Sequence, residues 1–225
     1  MKFKKNIILK WRVEIKTGLH IGGSKEGVKI GGTDNPVIKT YIKYKENEND
    51  EGVLIEMPYI PGSSIKGKMR HLLESSYEGQ NDKLNMISKL FGRPAEEKEK
   101  EPIVTRLIVR DSYPTKEWIK KLVLEDVYER GLEIKGENKI EKDGSANPRF
   151  IERVIPGVEF DLETIITVYE GDDENGFIDL LKEGMELLKD SYLGGQGTRG
   201  YGKIEIKWLG KEERLLEDYQ KLIKG

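Results

Sequence analysis

Ile7-Ile8-Leu9-Lys10-Trp11-Arg12-Val13-Glu14-Ile15 decides the fold class. Ile7, Leu9, Trp11, Val13 and Ile15 take alternate positions, with Lys10, Arg12 and Glu14 between them, which is the period of a strand with one buried face. Downstream, Val53-Leu54-Ile55 and Tyr59-Ile60 read as a further strand stopped by Pro61-Gly62. A helix then opens at Ser63 or Ser64, either of which suits a cap, with Ile65, Met69, Leu72 and Leu73 facing inward. Gly67 inside that helix costs roughly 1 kcal/mol against alanine and predicts a close approach to the backbone there. Ile103 to Val109 reads as a buried strand, and a second helix follows Thr115 to about Tyr128.

Phe160, Leu162, Thr164, Ile166 and Val168 alternate again, Phe177, Leu180, Leu181, Met185 and Leu188 fit a helix, and Lys203 to Trp208 close as a strand. A charged terminal helix is expected from about Lys211. Two strand–helix–strand groups of this kind predict an α+β fold, a ferredoxin-like palm with helices on one sheet face. No linker separates independent domains, so residues 1–225 read as one domain, with the palm at about 6–110 and 155–210. The polar, turn-rich stretch around Asp143-Gly144 and Asn147-Pro148 reads as a protruding hairpin, and the charge run at about 93–102 as a surface loop.

Composition narrows the chemistry. The absence of cysteine excludes disulfides and cysteine-ligated zinc. Apolar runs of only a few residues give no membrane segment, which reads as a cytoplasmic protein. The net charge of −2 hides an asymmetry, because residues 1–72 carry 14 Lys and Arg against 8 Asp and Glu. A locally basic face suits phosphate, whatever the net charge.

Three segments carry candidate function. Gly194-Gly195-Gln196-Gly197-Thr198-Arg199-Gly200-Tyr201-Gly202 is either a backbone cradle for a polyanion, with Arg199 as a phosphate fork, or a tight helix-to-strand connection. Thr17 to Pro36 is a glycine-rich loop holding His20 and Asp34. Asp34 either makes a turn before Pro36 or acts on a ligand, where it is a weak base at neutral pH and better suited to holding a divalent ion or orienting water. Lys66, Lys68 and Arg70 at the helix start read as phosphate contacts or as a solvated face with an Arg70–Glu74 pair. Only two histidines exist, His20 and His71, on different elements, so a histidine-pair ribonuclease is disfavoured and His71 reads as a partly buried structural residue.

Together, Thr17-Gly18-Leu19-His20-Ile21-Gly22-Gly23, Ile30 to Ile38, Tyr59 to Arg70, Ala146-Asn147-Pro148-Arg149-Phe150-Ile151-Glu152-Arg153-Val154-Ile155-Pro156-Gly157 and the glycine loop resemble the RAMP superfamily of CRISPR-associated proteins, in order from about Thr17 to Lys203. Within it the chain is similar to the repeated backbone subunit of the type III-A (Csm) effector complex. The resemblance implies an RRM-like palm with a thumb hairpin at about 137–153, stacked with copies of itself and other Csm subunits along a guide RNA (crRNA). It further implies metal-dependent cleavage of paired target RNA, by Mg²⁺ or another divalent cation, at regular intervals. Asp34 matches the catalytic and metal-holding aspartate. His20, Ser63, Ser64, Lys66, Lys68, Arg70, Gln196 and Arg199 are expected along the guide. Arg149 and Arg153 are expected in the thumb beside an apolar wedge, Phe150 or Ile151. A non-catalytic scaffold and a nuclease maturing precursor guides are the competing readings.

Overall fold

The structure is a computed structural model that describes residues 1–23, 35–47, 49–93, 103–125, 128–140, 144 and 146–224. The chain opens with β1 (Phe3–Ile15), then the hairpin β2 (Lys39–Tyr44) and β3 (Val53–Pro58), followed by helices α1 (Gly62–Ser76) and α2 (Asn81–Phe91). Short strands β4 (Leu107–Val109) and β5 (Tyr113–Pro114) lead to α3 (Lys116–Leu124) and the single turn α4 (Tyr128–Gly131). The second half holds β6 (Leu132–Ile140), β7 (Ala146–Val154), β8 (Glu159–Tyr169), α5 (Glu174–Asp190), β9 (Ile204–Leu215) and α6 (Leu216–Lys224).

The palm sheet has the order β4-β8-β1-β9, with β1 antiparallel to both β8 and β9 and β5 adding to β8. Strands β1, β4, β8 and β9 with α1 and α5 between them give the ferredoxin-like arrangement the alternation predicts. The odd positions of β1 from Ile7 to Ile15 are all buried against Ile65, Met69 and Leu73 of α1 and Phe177, Leu181, Met185 and Leu188 of α5. The two helices meet at Gly184, where a methyl would lie 3.1 Å from Leu73 Cδ1 and 3.6 Å from Met69 Cβ.

Local expectations fail where tertiary contacts outrank propensity. Neither Ser63 nor Ser64 caps α1, which starts at Gly62 with no side-chain cap from its own segment. Ile60 and Ser112 exchange main-chain hydrogen bonds at 2.9 and 2.8 Å, and Asp111 next to them accepts the Gly62 N–H at 2.8 Å. A remote carboxylate thus serves the helix start, and Gly62 is required because a Cβ would sit 2.1 Å from the Val109 carbonyl oxygen. Beyond its chain neighbours and the backbone of its own helix, Gly67 has nothing of the described chain within 4 Å of where its Cβ would be, so no internal approach explains it. Of Ile103 to Val109, only Leu107–Val109 is strand, while Ile103 bridges Arg93. β9 runs on to Leu215 because residues 211–215 pair with Lys5–Leu9 of β1, which delays the terminal helix to Leu216. His71 is exposed on α1 instead of partly buried.

The hairpin is present and longer than expected: β6 and β7 pair from Leu132↔Val154 to Ile140↔Ala146. The run from Ala95 to Glu101 lies outside the described residues.

Candidate nucleic-acid interface

The glycine loop packs beneath the root of the β6–β7 thumb. Gly194, Gln196, Gly200 and Gly202 all have φ between 61° and 85°, the left-handed region that glycine enters without strain. Close packing adds to that requirement, since a Cβ on Gly194 would meet His20 O at 2.3 Å and one on Gly202 would meet Leu193 O at 2.0 Å. Tight connection therefore accounts for several glycines, and the loop is held by Gly195 N–H to His20 O at 2.8 Å and Gly202 N–H to Gly18 O at 3.1 Å. Gly195 and Gly200 remain exposed, Arg199 is 62% exposed, and its guanidinium donates to Gln196 Oε1 at 2.7 Å.

Tyr201 joins the loop to the thumb. Its ring is 1% exposed and carries Lys135 Nζ at 4.5 Å and the Arg153 guanidinium at 4.6 Å, while its hydroxyl donates to Glu137 Oε1 at 2.7 Å. Lys135 pairs with the same Glu137 oxygen at 3.0 Å, Arg199 approaches its other oxygen at 3.9 Å, and Arg153 pairs with Glu133. Arg153 thus lies between Gly18 and Tyr201 as a strut of the thumb root. The Tyr201 hydroxyl above all holds the Glu137 carboxyl below its usual range, and burial followed by the Glu137 bond pushes the Tyr201 phenol up to about 12. A phenol pKa raised above its unfolded value contributes stability that is complete below about pH 10 and is lost as pH rises towards 12. Absorbance titration of the tyrosines is expected to show one phenol ionising near pH 12 that disappears in Tyr201→Phe; a variant with the wild-type titration curve would contradict this placement.

Glu152 of β7 ties together the ends of the loop that bears Asp34. Glu152 is 8% exposed, and its carboxylate accepts the Val37 N–H at 2.9 Å and pairs with Lys39 Nζ at 2.9 Å. Its own N–H donates to Asn35 O at 3.1 Å, and its carbonyl accepts from His20 Nδ1 at 2.8 Å. Leu19 and Val154 exchange main-chain hydrogen bonds alongside. Asp34 itself lies outside the described residues, immediately before the pinned Asn35.

The basic set on α1 divides. Lys68 Nζ stands 3.8 Å over the Tyr192 ring, against the glycine loop, whose Gly197 backbone presses so close to Tyr192 that a Cβ would meet the ring at 2.0 Å. Lys66 turns the other way and donates to Thr105 Oγ1 at 2.9 Å and Leu107 O at 2.8 Å, with its ammonium pKa lowered by burial and then by Arg70. Arg70 donates to Glu74 at 2.7 Å, the expected pair, and to Gly92 O at 3.1 Å, closing the end of α2. Ser63 is exposed and Ser64 half-buried at the helix start. On the thumb, Arg149 is exposed opposite Glu137, Phe150 is 50% exposed beside Gly136, and Ile151 is buried, so of the two apolar candidates only Phe150 is exposed. The fold therefore gathers His20, Lys68, Gln196, Arg199 and the strut Arg153, but directs Lys66 and Arg70 into intramolecular bonds. Sequence reading missed Tyr192, Tyr201, Lys135, Glu137 and Glu152. The one signal for them was Tyr201 standing between glycines and Glu152 beside Arg153 in a stretch already singled out.

A ferredoxin-like palm bearing a hairpin thumb, with a glycine loop locked to its root, is the arrangement of a RAMP protein, and the chain belongs to the RAMP superfamily, whose family model matches residues 12–205. Its relatives narrow the group to Csm3 proteins. The chain is 40% identical over 237 residues to the CRISPR system Cms endoribonuclease Csm3 of Methanothermobacter thermautotrophicus, covering 98% of this chain and 91% of that one. It is 40% identical over 238 residues to the protein of the same name from Methanocaldococcus jannaschii, covering 96% and 86%. Among solved structures it resembles a chain of the Csm3–Csm4 subcomplex of the type III-A CRISPR-Cas interference complex, with 29% identity, coverage of 98% and 85%, and a TM-score of 0.57. Among the described residues, no helix is long and apolar enough to cross a membrane.

Proposed function

We propose that this chain is the guide-RNA-binding backbone subunit of a type III-A CRISPR interference complex and cleaves guide-paired target RNA at regular intervals through Asp34. One observation carries the reading: Glu152 joins the thumb, His20 and the exit of the Asp34 loop by four hydrogen-bonded contacts, and His20 in turn holds the glycine loop. Phosphates of the guide are held by Lys68, Arg199 and the exposed loop backbone, and Phe150 on the thumb opens the paired strand. RNA brings its own nucleophile, the 2′-hydroxyl, so the subunit chiefly holds that oxygen in line with the departing 5′-oxygen. Copies of the chain stack along the guide with other Csm subunits, which sets the interval.

Metal dependence in this reading rests on Asp34. Among the described residues no three His, Asp or Glu side chains converge, and both Glu152 oxygens are already engaged. The described residues thus supply no cage for an ion. The test is a cleavage ladder from the reconstituted complex on a guide-paired target, with and without Mg²⁺ or Mn²⁺. Regularly spaced cuts support the reading, and an intact target in the assembled complex leaves only a scaffold.

The split of the basic residues has its own consequence. Lys68→Ala and Arg199→Ala are each expected to weaken RNA binding without regard to sequence and to reduce the slope of log affinity against log salt by about 0.7, the value for one phosphate on a single strand. Lys66→Ala and Arg70→Ala, which remove bonds to Leu107 and Gly92, are expected to lower the melting temperature with a smaller change in slope. Equal slopes for all four variants would refute the division.

A further inference from the structure

The His20 ring sits in a notch flanked by two glycines. Its Nδ1 lies 2.8 Å from the Glu152 carbonyl oxygen, which can only accept, so in the neutral imidazole Nδ1 holds the proton and Nε2 keeps its lone pair. Gly22 and Gly195, both exposed, flank the ring: a methyl on Gly22 would stand 3.6 Å from Nε2, and one on Gly195 3.7 Å from Cδ2. Among the described residues no group donates to Nε2. The notch therefore offers one hydrogen-bond acceptor of fixed direction, beside a loop that presents Arg199 and next to the pinned end of the Asp34 loop.

An acceptor cannot take a phosphate oxygen, which also only accepts. The donors on a nucleic acid are the base amino and imino groups, which vary with sequence, and the ribose 2′-hydroxyl, which every RNA residue carries. A backbone subunit that holds any guide needs the invariant one. We propose that His20 Nε2 accepts the 2′-hydroxyl of a ribose in the bound strand, making His20 a specificity-determining residue that separates RNA from DNA; the inference rests on the RNA-binding reading above. The Glu152 carbonyl acts through the imidazole, holding it in the tautomer that can accept.

Binding of the full chain is to be measured against one labelled single-stranded sequence made three ways: as RNA, as DNA, and as 2′-O-methyl RNA, which can no longer donate from that position. Wild type is expected to favour RNA over both. His20→Phe deletes the acceptor and keeps a ring, and is expected to cut the preference by about 3- to 10-fold, the worth of one hydrogen bond, with affinity for the DNA strand unchanged. Gly22→Ala leaves the imidazole and its bond to Glu152 intact but places a methyl at the mouth of the notch, and is expected to reduce the same ratio. Variants that weaken RNA and DNA binding by one factor, or that leave the ratio at its wild-type value, overturn the inference while the RNA-binding reading stands. Wild-type chain that binds neither strand overturns both.

Discussion

Asp34→Ala in the reconstituted complex is expected to remove the regular cuts in target RNA, a loss of about 100-fold or more in rate, while guide affinity stays within about twofold of wild type. The size follows from the chemistry: once the strand is held in line, the remaining barrier lies in moving the 2′-hydroxyl proton and offsetting charge at the phosphorus, work that the proposed function assigns to Asp34. The selectivity follows from the geometry, because the proposed phosphate contacts lie on other elements, Lys68 on α1 and Arg199 in the glycine loop. Truncating Asp34 leaves the pinned bonds of Asn35 and Val37 in place. Product strands resolved by length distinguish the outcomes. A variant that cuts at the wild-type rate removes Asp34 from the mechanism, and one that loses guide binding in proportion to cleavage makes it a binding residue.

Glu152→Ala is expected to have the second largest effect, and through structure. The carboxylate is nearly fully buried, and its removal strands the Val37 N–H and the Lys39 ammonium, one of which has no route to water. Breaking a fully buried pair costs several kcal/mol. Lys39 retains 23% exposure, which lowers the expectation to about 2–3 kcal/mol. For a chain of this size that is a fall in melting temperature of roughly 5–10 °C. Glu152→Gln keeps an acceptor for Val37 and is expected to lose about half as much. Cleavage is expected to fall in Glu152→Ala although the residue touches no RNA, because the exit of the Asp34 loop loses a side-chain anchor while the main-chain bond to Asn35 remains. Calorimetry of both variants checks the energetics; an alanine variant melting within a degree of wild type would show that the buried carboxylate is not holding the loop.

The palm was legible because its signals are local and repeated. Alternation over Ile7–Ile15 and Phe160–Val168, and helical spacing over Phe177–Leu188, each report one buried face, and a face holds its meaning whatever covers it. The thumb was legible as two polar, extended segments about a turn. The helix caps were not: Ser63 and Ser64 satisfy every local rule for a start, yet Asp111, from a loop 49 residues on, supplies the bond to Gly62. The end of β9 misled for the same reason, since a charged stretch at 211–215 looks helical until β1 offers it partners.

The chain alone thus determined an α+β palm and a hairpin thumb, because periodicity and residue type are encoded at short range. Only the folded molecule decided which cations stay available, that Lys66 and Arg70 bind their own backbone while Lys68 leans to the glycine loop, and that one glutamate gathers thumb, histidine and loop. Those outcomes depend on where a partner from a distant segment comes to rest, and side-chain hydrogen bonds form with whichever group lies within about 3 Å, a distance that no spacing along the chain records.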